Sequence, residues 1–322
     1  MKKENKNSNP KNIPSNTREK KYGVLIFGAL IVIISLIFAV ITYNSSYQES
    51  VTIKEELTAM KTLIKAIEEG NAPGNLENLN LEADALSAQK LALERPYSYS
   101  LAALFFGILL LVKGIFNAVI GIAPSEKADV RKLTQAGLLA ALCYIGFAFF
   151  KFDIPVGAEK TAFHLGNVFC VLAALLLGGY WGGLAGAIGM TFADLTTSYV
   201  TSAPKTFLLK LCIGLIVGFV AHKVFKISQS HPQKYLTRST IIACACGMGF
   251  NIIADPLVGY FYKTYLLGVP QDLAATLAKV NLLTTSVNAL VAVAVATIFY
   301  MAIRPALKKS GLFVQVTPDE VK

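Results

Sequence analysis

The chain reads as an all-α membrane protein, and three observations carry that reading. More than half of its 322 residues, 54%, are hydrophobic and only 16% are charged, with a mean hydropathy of +0.53; soluble domains do not carry that balance. The apolar residues are gathered into windows, most of them near the ~20 residues that a helix needs to cross a bilayer. Basic residues collect between alternate windows, as topology signals do.

In chain order, residues 1–21 are rich in Lys, Asn, Ser and Pro and have too little apolar content to bury, so a disordered basic cytoplasmic tail is expected. Eight apolar windows follow, at 22–43, 97–120, 132–150, 163–177, 184–195, 206–224, 239–260 and 280–303. The first is read as an uncleaved anchor: its apolar stretch outruns that of a signal peptide, and no small-x-small cleavage site precedes Asn44. Between windows one and two, Val51, Ile53, Leu57, Met60, Ile64 and Ile67 recur mostly at helical spacing, and Leu76, Leu79, Leu86 and Leu93 do so after the breaker Asn71-Ala72-Pro73-Gly74-Asn75. This predicts an extracellular helical hairpin packed on itself. Residues 163–195 are interrupted only by Gly178-Gly179-Tyr180-Trp181-Gly182-Gly183, which predicts two short helices joined by a tight reversal. The domains expected are therefore the tail 1–21, two transmembrane helices with their hairpin at 22–123, a six-helix membrane unit at 124–310 and a cytoplasmic tail at 311–322.

The net charge of +10 reports orientation rather than nucleic-acid binding. Basic clusters precede the first and third windows, fill the loop at Lys223, Lys226, Lys234 and Arg238, and follow the last window at Arg304, Lys308 and Lys309. Eight spans put all four clusters on one face and both termini inside.

Chemistry concentrates between Asp194 and Lys210, an acid and two lysines set among apolar helices. A charge at mid-membrane costs from ~3 kcal/mol upward unless it faces protein, water or a partner, so a polar cavity is expected there. Candidate polar contacts are Asn167, Asp194, Tyr199, Lys205, Lys210 and Asn251, with further polar groups at Lys151, Asp153, Glu159, Lys160, His164, Asp255, Tyr260, Lys263, Asn281, Thr285, Ser286 and Asn288 on the same side of the membrane. Taken singly, Asp194 could only cap a helix and Lys205 could snorkel. Lys210, a turn deeper, ordinarily requires an acid or a ligand anion. Ala136 and Ala140 share a helix face that could admit another helix closely, or could serve internal packing. The five cysteines lie inside spans without metal-site spacing, so no metal is expected. The chain has no phosphate-binding loop of the Walker type, no H-E-x-x-H and no nucleophile elbow, so no catalytic residue or cofactor is expected.

The run His164-Leu165-Gly166-Asn167, the glycines from Gly178 to Gly189, Ala193-Asp194-Leu195, Tyr199, Ala203-Pro204-Lys205-Thr206-Phe207 and Lys210 together resemble the substrate-binding S components of energy-coupling factor (ECF) vitamin transporters. The resemblance covers roughly the last 190 residues. It implies a six-helix bundle that binds a vitamin near the outer face, a separate transmembrane T component contacted through Ala136 and Ala140, and two ATPase subunits, which accords with the missing phosphate loop. Within that family the reading leans toward relatives that take riboflavin or pyrimidine and pyridine vitamin precursors, since Phe163, Tyr199, Tyr260, Phe261 and Tyr262 could stack on a flat heterocycle. The two extra spans and their hairpin depart from the family pattern.

Two readings of other classes stand beside this one. A membrane scaffold or sensor would use the outer hairpin to recognise a partner. An intramembrane enzyme would use Asp194 and Asp255, which nothing in the sequence brings together.

Overall fold

A computed structural model describes residues 15–120 and 130–316. Most of the expected N-terminal tail, the connection around Ala123 to Glu126 and the last residues of the C-terminal tail lie outside the described residues. Five helical stretches are long and apolar enough to cross a membrane: Gly23–Glu68, Gly166–Thr196, Val200–Val224, Gln233–Leu266 and Gln271–Lys309.

Helix α1 (Ser15–Thr42) and the part of α3 (Leu76–Ile120) from Ser100 onward form one compact unit. Their axes approach closely because Gly28 faces the backbone of Leu111, Gly107 that of Val32 and Gly114 that of Leu25, a register that makes the pair antiparallel. In hydrocarbon no hydrophobic force pulls helices together, so close contact of this kind supplies the attraction.

Residues 43–99 group instead with the described residues from Val130 onward. A wide helical turn at Tyr43–Tyr47 leads into α2 (Gln48–Glu68), which returns through the breaker into the first half of α3. Asn75 caps α3, its Oδ1 accepting from the backbone N–H groups of Glu77 and Asn78. Leu57, Ile64 and Ala83 form the inner stripe of the hairpin with Met60, Leu76, Leu79 and Leu86 around them, so the expected self-packing is present. The stripe also takes in Ala158, from outside the hairpin, and the base of the hairpin is tied down: the Tyr47 hydroxyl donates to the Leu267 carbonyl at 2.8 Å and Tyr99 to that of Leu195 at 3.3 Å.

Helix α4 (Val130–Ala148) is followed by a feature that the all-helical reading omitted, an antiparallel hairpin of β1 (Lys151–Val156) and β2 (Glu159–His164). Gly157, at φ +60°, makes its two-residue turn. The Asn288 side chain pins β2, accepting from the His164 N–H and donating to the Ala162 carbonyl, both at 3.0 Å.

The predicted reversal within α5 (Gly166–Thr196) falls on a single residue, Gly178, whose φ of +82° and ψ of 176° only glycine adopts readily. The two arms fold back on each other: Gly182 faces Ala174, Gly186 faces Cys170 and Gly166 faces Met190, a symmetric pairing about Gly178. Both ends of α5 are thereby delivered to the same side. A short turn at Val200–Ser202, α6 (Ala203–Gly218), α7 (Gln233–Phe261) and α8 (Gln271–Lys309) complete the bundle around a core that includes Cys143, Val171, Leu175, Ile213, Met248 and Tyr300. At the opposite end, Val316 from the C-terminal segment packs over Gly178.

Candidate substrate-binding site

All six sequence-derived polar candidates, Asn167, Asp194, Tyr199, Lys205, Lys210 and Asn251, line one cavity of about 90 Å³. The fold explains the convergence. Asn167 opens the first arm of α5 and Asp194 closes the second, so the Gly178 reversal brings them together. Lys205, Thr206 and Lys210 descend the inner face of α6; Asn251, Asp255 and Gly259 recur every fourth residue along α7; Asn281, Thr285 and Asn288 form the facing stripe of α8. Thr161 and His164 enter from β2. Ser286 points away and bonds its own helix at Leu282.

A charge network fixes one wall. The Lys205 ammonium donates to Asp255 Oδ1 at 2.6 Å, and Asp255 Oδ2 accepts from Asn281 Nδ2 at 2.7 Å and from the Thr285 hydroxyl at 3.2 Å. Thr161 completes it by donating to Asn281 Oδ1 at 2.9 Å. The sequence places Asp255 among the accompanying polar groups rather than the candidate contacts. The four-residue spacing of Asn251, Asp255 and Gly259 is the signal that would have included it. Asp194 and Asp255 do reach the same cavity, which the sequence alone did not bring about, yet Asp255 is fully engaged by Lys205, Asn281 and Thr285.

The other wall is under-satisfied. His164 Nδ1, Asn167 Oδ1, Asp194 Oδ2 and Asn251 Oδ1 are buried with no hydrogen-bond partner among the described residues, and each belongs to a side chain that lines the cavity. Lys210 is only 6% exposed, and no carboxylate of the described residues lies within 4.0 Å of its ammonium. Orphaned buried polar atoms each cost about 1–3 kcal/mol. Four such atoms around one cavity, with the Lys210 ammonium beside them, form a set of unused donors and acceptors for a polar solute.

Aromatic and cationic side chains shape the rim. The Phe147 ring meets His164 at 4.7 Å and Tyr199 at 5.3 Å, both edge to face. The Tyr199 hydroxyl donates to Asp153 at 2.9 Å while Lys151 and Lys160 lie over its ring at 4.7 and 5.5 Å. Burial would raise the Asp153 carboxyl, but the Tyr199 hydrogen bond and the two lysines hold it below the ordinary carboxylate range. Above the rim Glu159, 9% exposed, is bound by three ammoniums: Lys54 of α2, Lys90 of α3 at 3.4 Å and Lys263 at 2.8 Å. Burial again opposes ionisation, and Lys263, Lys54 and Lys90 overcome it, holding Glu159 well below its usual pKa. Sequence reasoning treated Glu159 as one polar loop residue among several; its three lysine partners come from three different helices.

On α4, Ala136 is buried and Ala140 is half-buried with its carbonyl against Gly189, while Gly137, Leu138 and Ala141 are exposed. Both alanines therefore already serve packing within the bundle. Among the described residues, no group of three or more His, Cys, Asp or Glu could hold a metal ion.

Comparison with curated proteins and with solved structures returned no match. Residues 127–305, more than half of the chain, match the family described as ECF-type riboflavin transporter, S component. That stretch contains every residue of the cavity and runs past α4 into the last turns of α8. The chain belongs to the ECF-type riboflavin transporter S-component family and is a multi-pass membrane protein of substrate binding and transport.

Proposed function

We propose that the cavity between α5, α6, α7, α8 and β2 captures a riboflavin-like vitamin on the outer side of the plasma membrane and presents it to an importer whose T component and two ATPase subunits are separate chains. The observation that carries this reading is the set of buried atoms without hydrogen-bond partners on His164, Asn167, Asp194 and Asn251, around one cavity that Lys210 also lines. A fused heterocycle with alternating carbonyl and N–H groups along one edge would satisfy such a set, and Phe147, Tyr199 and Tyr260 on the lining offer faces for its ring. The family's description supports riboflavin over the pyrimidine and pyridine alternatives.

Asp194, Asn167 and Asn251 act as hydrogen-bonding partners of the polar edge, Lys210 donates to a carbonyl or imide oxygen, and Lys205 and Tyr199 border the entrance. The T component meets the outer face of α4, where Gly137 and Ala141 would let a helix approach beside the Ala136 and Ala140 pair. Both termini lie in the cytoplasm, following the basic clusters.

Purified full-length protein in lipid nanodiscs should quench riboflavin fluorescence saturably, with Asn251→Ala and Asp194→Ala weakening binding by at least tenfold, the order expected for a buried hydrogen bond to a charged or ring-edge group. Saturable binding of thiamine or a pyridine vitamin with none of riboflavin would overturn the choice of solute. No saturable binding of any vitamin in a panel would overturn the binding-subunit role of this cavity.

A further inference from the structure

The candidate cavity, at about 90 Å³, falls well below the ~300 Å³ from which small-molecule pockets usually start. A vitamin-sized solute therefore enters only when the walls part. Three connections border the cavity at one end: the β1–β2 hairpin, which contributes Lys160, the segment between α5 and α6, which contributes Tyr199 and Ser202, and the segment between α7 and α8, which contributes Lys263. Connections of this kind move without unpacking the helices that they join.

The α2–α3 hairpin is fastened to all three. Lys54 of α2 and Lys90 of α3 both pair with Glu159 beside the β1–β2 turn, Lys90 at 3.4 Å. Thr58 of α2 packs on the turn itself, its methyl carbon 3.4 Å from where a Cβ on Gly157 would sit. The Tyr99 hydroxyl donates to the Leu195 carbonyl at the end of α5 at 3.3 Å, and the Tyr47 and Tyr97 hydroxyls donate to the carbonyls of Leu267 and Leu266, beyond the end of α7, at 2.8 and 3.3 Å. A second cavity lies under the hairpin, between Leu57, Ser87 and Leu91 on one side and Pro155, Ser198 and Thr201 on the other, and it shares Lys160, Tyr199, Ser202 and Lys263 with the first. The hairpin thus roofs the space that adjoins the candidate site. Its fastenings are ion pairs and single hydrogen bonds, each weak in net terms, so the hairpin can lift and reseat as a unit.

We propose that the α2–α3 hairpin is the lid of the binding site: seated on the three connections it holds the cavity shut, and its release, with Glu159 parting from Lys54 and Lys90, opens the passage for the solute. The inference rests on the vitamin-binding reading above and assigns the added module to the rates of entry and exit rather than to contact with the ligand. A lid that closes alike over the empty and the filled site changes both rates by the same factor and leaves their ratio, the affinity, where it was.

The test follows riboflavin fluorescence quenching by stopped flow on the full-length protein in nanodiscs. Tyr47→Phe combined with Lys54→Gln removes one fastening to the α7–α8 connection and one to the β1–β2 turn, while Lys90 and Lys263 still pair with Glu159. Association and dissociation rates should both rise about tenfold, the order of one charge-assisted hydrogen bond, with the affinity unchanged. Thr58→Cys combined with Gly157→Cys places two thiols close enough for a disulfide across the same seam. Its oxidised form should fail to take up riboflavin on the time scale in which the native chain equilibrates, and reduction of the same preparation should restore uptake. Rates equal to the native ones in Tyr47→Phe/Lys54→Gln, or uptake at the native rate by the oxidised pair, would overturn the lid while leaving riboflavin binding in place. A faster dissociation with an unchanged association rate would make the hairpin a ligand contact and overturn it as well. Failure of the native chain to bind riboflavin would overturn the vitamin-binding reading and this inference with it.

Discussion

The Lys205 ammonium donates to Asp255 at 2.6 Å in one wall of the cavity, and the same carboxylate is completed by Asn281 and Thr285. Lys205 and Asp255 are the cross-strut between α6 and α7, and α8 joins through the two neutral donors. Asp255→Ala strands one ammonium and two buried donors at once. Removing one partner of a buried pair costs about 3–5 kcal/mol, so the variant should show a clearly lowered thermal midpoint and lose vitamin binding. Asp255→Asn keeps one acceptor oxygen, for either Lys205 or the Asn281 and Thr285 donors, and should retain more of the midpoint than the alanine variant, measured side by side in detergent. Equal midpoints for all three proteins would mean that the network contributes nothing to stability.

Glu159 ties the α2–α3 hairpin to the bundle through Lys54, Lys90 and Lys263. Glu159→Gln leaves three ammoniums facing one another and should loosen α2 and the first half of α3, raising hydrogen exchange there several-fold while exchange in α5 stays as it was. The pH dependence has a definite sign. Because the folded pKa of Glu159 lies below its unfolded value, the clamp's contribution is fully present above about pH 4.5 and is lost only as pH falls through the lowered value. Hairpin exchange, corrected for intrinsic rates, should therefore be flat between about pH 7 and pH 5 and rise only in stronger acid. A rise already at about pH 6 would point to another group.

Much of this arrangement is legible in the residues. The stripe of Leu57, Ile64, Leu76 and Leu79 announces a self-packed hairpin because helical spacing and one breaker suffice to specify it. The glycine run announces the α5 reversal, and the unusual charges between Asp194 and Lys210 announce the cavity. The β-hairpin is hidden because Pro155 sits in a strand and charged residues break its alternation, both of which argue against strand. The Glu159 clamp is hidden for a different reason: its partners are set by the docking of three helices, which no local spacing encodes.

Gly178 should not tolerate a side chain. Its φ of +82° with ψ near 176° is a region that other residues enter only at a cost of about 1–3 kcal/mol, and an added Cβ would also press on Val316 at 3.0 Å. Gly178→Ala should lower the thermal midpoint by several degrees and weaken vitamin binding as well, since the reversal is what brings Asn167 and Asp194 together. A midpoint equal to that of the native chain would show that the two arms can meet through a different turn.

Lys210 provides the sharpest contrast between stability and function. It is buried beside Asp194 and Asp255 on the cavity lining, with no carboxylate among the described residues close enough to pair with it. Replacing a poorly compensated buried ion with an apolar side chain of similar length is often stabilising, by about 1–4 kcal/mol. Lys210→Met should therefore raise the thermal midpoint of the ligand-free protein while abolishing high-affinity vitamin binding, the opposite signs expected of a residue held at a cost for its ligand contact. Paired melting and flavin-quenching curves read both effects on one preparation. A lowered midpoint would instead mean that Lys210 holds the bundle together. Unchanged binding would remove it from the site.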